Sequence, residues 1–331
     1  MDIAIAGAGL IGRLLGWQLG REGHSVTIYE REPRDQLTSS SYVAAAMLAP
    51  LSEYPDCEPA IWEMAQASLK VWPAILRELD VPHGFDGSLV VAHTQDASLL
   101  AKFRRRLARA QLKGVQELSA HMLADLEPEL AGRFTMGLHL ADEGWLDNRV
   151  LLGALERECG QIHFGSPVDP ERLSGDISVD CRGKDAADPD LRGVRGEAIR
   201  VFAPDVRLSR PVRLMHPKYQ LYISPRPERV YVIGATQIES DATSPMTVRS
   251  ALELLSAAYT LHAGFAEAEI LELNVGVRPA YPDNLPRVQW HNGVLRVNGL
   301  YRHGYLVAPV VAQTAIAEIE AVCEYSSTAN Q

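Results

Sequence analysis

The chain of 331 residues has only four cysteines, at 57, 159, 181 and 323, with no Cys-x-x-Cys pair and no Cys/His cluster. That scatter offers neither a disulfide framework nor a zinc-type ligand set, so no metal is expected, and it suits reduced thiols in the cytoplasm. Positive charge is also short. Thirty-two Lys and Arg stand against 42 Asp and Glu, a formal charge of −10. Such a balance excludes nucleic acid as a natural partner and disfavours an anionic membrane surface. The one basic cluster, "KFRRRLARAQLK" at 102–113, reads as the solvated face of a helix. The opening residues lead almost directly into "IAIAGAG", without the basic segment and small-residue cleavage site of a secretory leader. No apolar run reaches the roughly 18 residues that span a bilayer. Repeats and low-complexity linkers are missing too. What remains, 47% hydrophobic and 22% charged residues, is an ordinary globular composition with length enough for two lobes.

The first 32 residues carry the clearest motif. Residues 2–6 are a short apolar run suited to a buried parallel strand, and Gly7, Gly9 and Gly12 then form G-x-G-x-x-G. The first glycine permits a sharp turn, the second lets a diphosphate approach the backbone, and the third lets the helix close on the strand. The helix start supplies N–H donors and the positive end of its dipole. Leu14, Leu15 and Leu19 share a helical face. Residues 25–29 form the next strand and end at Glu30, 18 residues after Gly12. A carboxylate there accepts hydrogen bonds from the adenosine ribose. It argues against the 2′-phosphate of NADP and leaves NAD and FAD open. Downstream, "LTSSSYVAAAMLAP" at 37–50 joins hydroxyl groups, which cap a helix or bind phosphate, to alanines that let backbone approach a flat ligand.

The rest alternates in character. Residues 60–79 read as a helix with Trp62, Leu69, Trp72 and Leu76 as core positions, 87–93 as a strand, and 142–159 as the start of a helix capped by Asp147 or Asn148. "QIHFGSPV" and "GDISVDCRGKD" are two further strands. From Ala198 to Thr236, "AIRVF", "VRLMH", "QLYISP" and "RVYVIGAT" are strand-like runs broken by Pro and Gly, which predicts an antiparallel sheet. A helix near 246–262 follows, and "GVLRVNGL" is a strand that runs into "NGLYRHGYLVAP" at 298–309. Segments of α/β type thus bracket a β-rich middle. A nucleotide lobe built from separated pieces disfavours an NAD dehydrogenase, whose nucleotide domain is usually contiguous.

Together "GAGLIG…YER", "SSSYVAAAMLAP", "DEGWLDNRVLLGAL", "LYISPRPERVYVIGAT", "GVRPAYPDNLPRV" and "NGLYRHGYLVAP" resemble the D-amino-acid-oxidase-type flavoproteins, and within them the glycine oxidases of thiamine biosynthesis. The resemblance covers essentially the whole chain. It implies an FAD-binding Rossmann-like domain of the glutathione-reductase type, from 1–80, 142–205 and 284–331. An α+β substrate domain with a large antiparallel sheet would take 81–141 and 206–283. Carried over by position, Leu10 and Ile11 sit at the diphosphate turn, with Glu30 and Arg31 at the adenosine. Ser40 and Ser41 match the polar part of the flavin loop, Ala45, Ala46 and Met47 its small part, and Val168 an adenine-side backbone contact. Leu300, Tyr301, Arg302, His303, Gly304, Tyr305 and Leu306 match the turn beside the flavin ring. Ala46 stands where glycine is usual. No cysteine occupies that last turn, which sets aside the covalent flavin of related sarcosine oxidases.

Arg278 in "GVRP" and Arg302 in "YRHG" match substrate-carboxylate positions, and Tyr222 a substrate-site tyrosine. A buried guanidinium is costly unless paired, and an amino-acid carboxylate is a planar, bidentate partner. His303 reads either as a base near the flavin or as a residue bonded to a backbone carbonyl. His216 and His291 read as structural, and Gln237 and Met246 as pocket candidates by analogy. The resemblance implies oxidation of a small amino acid to an imino acid, with oxygen reduced to hydrogen peroxide, in a chain that forms a dimer or tetramer. Two alternatives stand beside it: a flavin dehydrogenase of the same fold with a non-oxygen acceptor, and a flavin-binding maturation protein with little turnover.

Overall fold

The computed structural model describes residues 1–218 and 220–329. Asp2–Ala6, buried from its second residue onward, lies inside a six-stranded sheet. The order is Arg287–His291, Val294–Asn298, Ile177–Asp180, Asp2–Ala6, Ser25–Tyr29, Gln161–His163. Every pairing is parallel except the edge hairpin Arg287–His291/Val294–Asn298. A parallel sheet must be covered on both faces. Helices Leu10–Arg21, Pro59–Glu78, Asn148–Glu158 and Gly304–Ala329 do this, and their Leu14, Leu15, Trp72, Leu155 and Val307 join Ile5, Ile28 and Val179 in one core. Of the expected core positions on Pro59–Glu78, Trp72 and Leu76 are fully buried, whereas Trp62 and Leu69 are half-buried. Asp147, not Asn148, is the cap. Its carboxylate accepts the N–H groups of Arg149 and Val150 at 3.0 and 3.2 Å.

One expectation changes here. Residues 301–323 are long and apolar enough to cross a membrane. In the fold this stretch is a core helix lying against Leu10–Arg21 and Pro59–Glu78. It is buried along most of 305–312 and beyond that on one side, through Ala315, Ile316 and Ile319, while Gln313, Thr314, Glu318 and Glu320 are exposed.

The β-rich middle forms a nine-stranded sheet. Its order is Ile238–Glu239, Arg192–Phe202, Val230–Gly234, Gln220–Pro225, Val212–Met215, Ser88–Ala92, Met136–Leu140, Val115–Ser119, with Glu269–Ala280 also paired to Arg192–Phe202. It is antiparallel apart from Val212–Met215 beside Ser88–Ala92. Strand Arg192–Phe202 pairs with Glu269–Ala280 from Arg192↔Ala280 to Phe202↔Glu269. The division expected at residue 205 therefore moves upstream, because this strand belongs to the large sheet. Helix Val248–Leu261 covers one face through Leu254, Ala257, Ala258 and Leu261 against Ile199, Ile223 and Ile233. Helix Ala97–Arg109 buries Leu100, Phe103 and Leu107 and leaves Lys102, Arg105, Arg106 and Arg109 exposed, the solvated basic face expected.

Register sets up the site. Arg213 is opposite Tyr222, Tyr222 opposite Gly234, Gly234 opposite Ala198, and Ala198 opposite Asn274. Residues in one row share a face. Since Ile199, Leu221 and Ile223 fill the core below, this row points the other way, toward the six-stranded lobe.

Asp147→Ala removes both cap bonds at a buried helix start. It is expected to lower unfolding free energy by about 1–2 kcal/mol, read as a lower urea midpoint with unchanged slope.

Candidate active site

A cavity of about 780 Å³ opens between the two large sheets. It runs from the turn at Gly7–Ile11, past residues 37–47, to the face of the large sheet that carries Tyr222 and Arg278. Gly7, Gly9, Leu10, Ile11, Glu30, Arg31, Ser40, Ser41, Ala45, Ala46, Met47, Val168 and residues 300–306 all line it. Gly12 does not. A Cβ there would lie 2.0 Å from the Gly7 carbonyl oxygen, so this glycine serves the closure of helix on turn. Gln237 lines the cavity, whereas Met246 packs under the large sheet. His216 accepts the Lys218 N–H at 3.3 Å and, like exposed His291, lies outside it.

The walls fit a dinucleotide. Gly9 caps the 12-residue helix Leu10–Arg21 with no side-chain bond, and its first turn has no acid, so the leading N–H groups open onto the cavity as a ready anion site. Glu30 accepts the N–H groups of Ala8 at 2.8 Å and Glu32 at 3.0 Å, which fixes its carboxylate at the wall. A Cβ built on Gly304 would meet nothing within 4 Å, and one on Gly9 would meet only Ser41 Oγ, at 3.6 Å. The protein's own packing asks for neither glycine. Both present bare backbone to whatever fills the cavity.

The loop between these ends is held tightly. Asn148 Nδ2 donates to the carbonyls of Ser41 at 3.0 Å and Tyr42 at 2.8 Å, and Tyr305 donates to the Ser41 carbonyl at 2.8 Å. Ser40 Oγ donates to the Val277 carbonyl. Ala46 sits at φ 47°, in the left-handed region that glycine adopts readily and alanine does not. Glycine, which the resemblance led one to expect at this place, would take that conformation without strain. Buried Arg226 steadies the strained segment by donating to the Ala45 carbonyl, to Ser224 Oγ at 2.9 Å and to the Pro225 carbonyl at 2.7 Å. Burial lowers its pKa to about 10, so it stays charged at neutral pH.

At the far end, Gly196 clears space for Arg278. A Cβ on Gly196 would fall 2.3 Å from the guanidinium. Arg278 donates to the Thr236 carbonyl at 3.2 Å, and among the described residues it has no carboxylate within ion-pair distance. Tyr222 lines the same end, its hydroxyl raised in pKa by burial. Arg195, buried against Glu197 at 2.6 Å, donates to the carbonyls of Ala242 and Ser244 and so holds the segment that follows strand Ile238–Glu239. Arg302 is ion-paired, though its Nε makes no hydrogen bond. Its Nε lies 3.0 Å from Glu53 Oε2, and its other nitrogens donate to the Asp56 carbonyl and Gln237. His303 is buried, with Nδ1 3.6 Å from the same Glu53 oxygen. Burial drops its pKa to about 4, so it is neutral at physiological pH. Glu53 rides on the short helix Pro50–Glu53. There Ser52 donates through N and Oγ to buried Glu143, which also accepts Ser88 Oγ, while Arg213 donates to the Ser52 carbonyl.

A family model described as DAO, FAD dependent oxidoreductase, matches residues 2–318. The chain belongs to this family. It is 42% identical over 324 residues to a protein of Rhizobium etli described as a thiamine biosynthesis oxidoreductase, ThiO, with 94% of each chain covered. It is 26% identical over 345 residues to the glycine oxidase of Geobacillus kaustophilus, covering 93% of this chain and 90% of that one. The crystal structure of that glycine oxidase superposes with a TM-score of 0.82, covering 96% of this chain and 93% of that one. The protein is thus an FAD-dependent oxidoreductase of the glycine oxidase and ThiO type, and the cavity fits the cofactor its family requires.

Sequence reasoning missed Glu53, Glu143, Asn148, Gly196, Arg213 and Arg226. Arg226 carried a signal, a cation between two prolines in "SPRPE". The others look like unremarkable helix and strand residues until the lobes meet.

Glu143 yields a pH test. Burial raises its pKa from the ordinary 4.5 to about 7. Between those values the folded state binds more protons than the unfolded, so stability falls as pH rises through the window, by up to about 3 kcal/mol. Glu143→Gln mimics the protonated form. It is expected to lose less unfolding free energy than the parent between pH 5 and pH 8 in urea titrations.

Proposed function

We propose that the protein oxidises the C–N bond of glycine or another small amino acid, giving an imino acid that hydrolyses and reducing oxygen to hydrogen peroxide. The observation that carries this reading is Arg278, a cation in the cavity wall with one backbone acceptor and no internal carboxylate. A substrate carboxylate completes it with two parallel charge-assisted bonds. Bound FAD, held non-covalently, supplies the two-electron acceptor. The residues of the chain hold and orient the substrate, with Arg278 on the carboxylate and Tyr222 beside it, in a space closed by the turn at 300–306 and the loop at 236–245. Fixing the carboxylate fixes the α-carbon, which is the proximity contribution to rate.

The relative named ThiO supports a place in thiamine thiazole synthesis. Free thiols at Cys57, Cys159 and Cys181 suit a cytoplasmic enzyme. Val248 and Leu252, 78% and 60% exposed on one helix of the β-rich lobe, offer apolar surface for a second copy. A dehydrogenase with another electron acceptor is the second reading.

The FAD-loaded protein should bleach on anaerobic addition of glycine and recover its colour on admission of air, with hydrogen peroxide formed. Bleaching without rapid recovery would favour the dehydrogenase. A spectrum indifferent to glycine, sarcosine and small D-amino acids would overturn the reading. Arg278→Lys keeps the charge but loses the fork, and is expected to raise KM about 10- to 100-fold while FAD is retained.

A further inference from the structure

Resting on the amino-acid reading above, we propose that Glu53 is the amine subsite, its carboxylate pairing with the substrate ammonium group while Arg278 takes the carboxylate. Glu53 lines the same end of the cavity as Tyr222 and Arg278. Its two oxygens are treated differently. Oε2 is buried within ion-pair distance of Arg302 and beside His303, accepting a hydrogen bond from neither. Oε1 accepts no hydrogen bond from any described residue, and the side chain keeps 26% exposure, on the cavity side. Burial pushes this carboxyl up, but the charge of Arg302 first, with Arg213 and Arg278 behind it, outweighs burial and holds the pKa below the ordinary value. Glu53 is therefore an anion at neutral pH.

The charges explain the selection. Arg302 is already neutralised by Glu53, so it does not compete with Arg278 for the substrate carboxylate. His303 is neutral and adds no second cation. An amino-acid zwitterion presents one positive and one negative end to a cavity end where Arg278 and Glu53 both have hydrogen-bonding capacity left over. A simple carboxylate such as acetate fills Arg278 but leaves Glu53 Oε1 facing it without a donor. The same holds for a 2-oxo acid, the product after the imino acid hydrolyses, so loss of the amine weakens the product's hold. The position of Glu53 is built rather than incidental. Its neighbour Ser52 is clamped from one side by Glu143 and from the other by Arg213. The pairing favours binding of the zwitterion and does nothing for removal of its proton, so it acts on KM more than on kcat.

The test uses the FAD-loaded protein, with steady-state kinetics on glycine and a spectral titration of the flavin with acetate. Glu53→Gln is expected to raise the glycine KM about tenfold or more, with kcat changed less than about threefold. Acetate should bind as tightly as before or more tightly, because an anion has been removed. Glu53→Asp, which keeps the charge, should fall between the two, and it serves as the test if the glutamine variant fails to hold FAD. Equal weakening of glycine and acetate, or no change in either, would overturn the assignment. A parent protein whose flavin ignores every amine would instead sink the oxidase reading itself.

Discussion

A guanidinium removed from water must be given acceptors, and around this cavity four arginines receive them in four ways. Arg226 is enclosed by the Ala45 and Pro225 carbonyls and Ser224. Arg213 donates to the Ser52 carbonyl and stands 5.6 Å from the centre of the Phe103 ring. Arg302 is matched by Glu53. Arg278 has one backbone carbonyl and, unlike Arg213, no aromatic ring beside it among the described residues. The first three turn the cost of burial into structure, since each ties a segment near the cavity to an element far away in sequence. The fourth keeps unused hydrogen-bonding capacity at the cavity wall.

Two modes of strand pairing create the space these arginines surround. Parallel strands sandwiched by helices place the glycine turn and the start of Leu10–Arg21 at one end. The large antiparallel sheet buries one face on Val248–Leu261 and turns the other, with Tyr222 and Arg278, toward the first lobe. Small residues matter where the two meet. Gly196 yields to a guanidinium, Gly9 and Gly304 yield to a ligand, and Ala46 holds a left-handed backbone because neighbours on three sides bond its segment in place. The strain at Ala46 persists because the surroundings over-determine the loop.

Much of this was legible in the residues themselves. The spacing of Gly7, Gly9 and Gly12, with the acid at Glu30, dictates a strand, a turn, a helix and a second strand for local steric reasons, and the structure has them. The runs between Ala198 and Thr236 are strands because alternation and β-branching leave them little else. Assignment to a sheet was another matter. Arg192–Phe202 is apolar enough for either lobe, and only its long register with Glu269–Ala280 decides the choice. Residues 301–323 have the composition of a membrane span, and only the neighbouring helices show what covers them.

Arg302 marks the limit. Its apolar neighbours correctly signalled a buried cation needing a carboxylate, yet its nearest one is Glu53, about 250 residues away along the chain and invisible to any local pattern. Glu143, Asn148 and Gly196 are hidden for the same reason. Backbone conformation follows from sterics and hydrogen bonding among near neighbours, so the sequence by itself determined the elements, the dinucleotide turn and the kinds of group the site contains. Charge pairing and burial depend on which distant segments meet, so only the tertiary structure decided that Arg302 is paired with a carboxylate of the chain and that Arg278 is not.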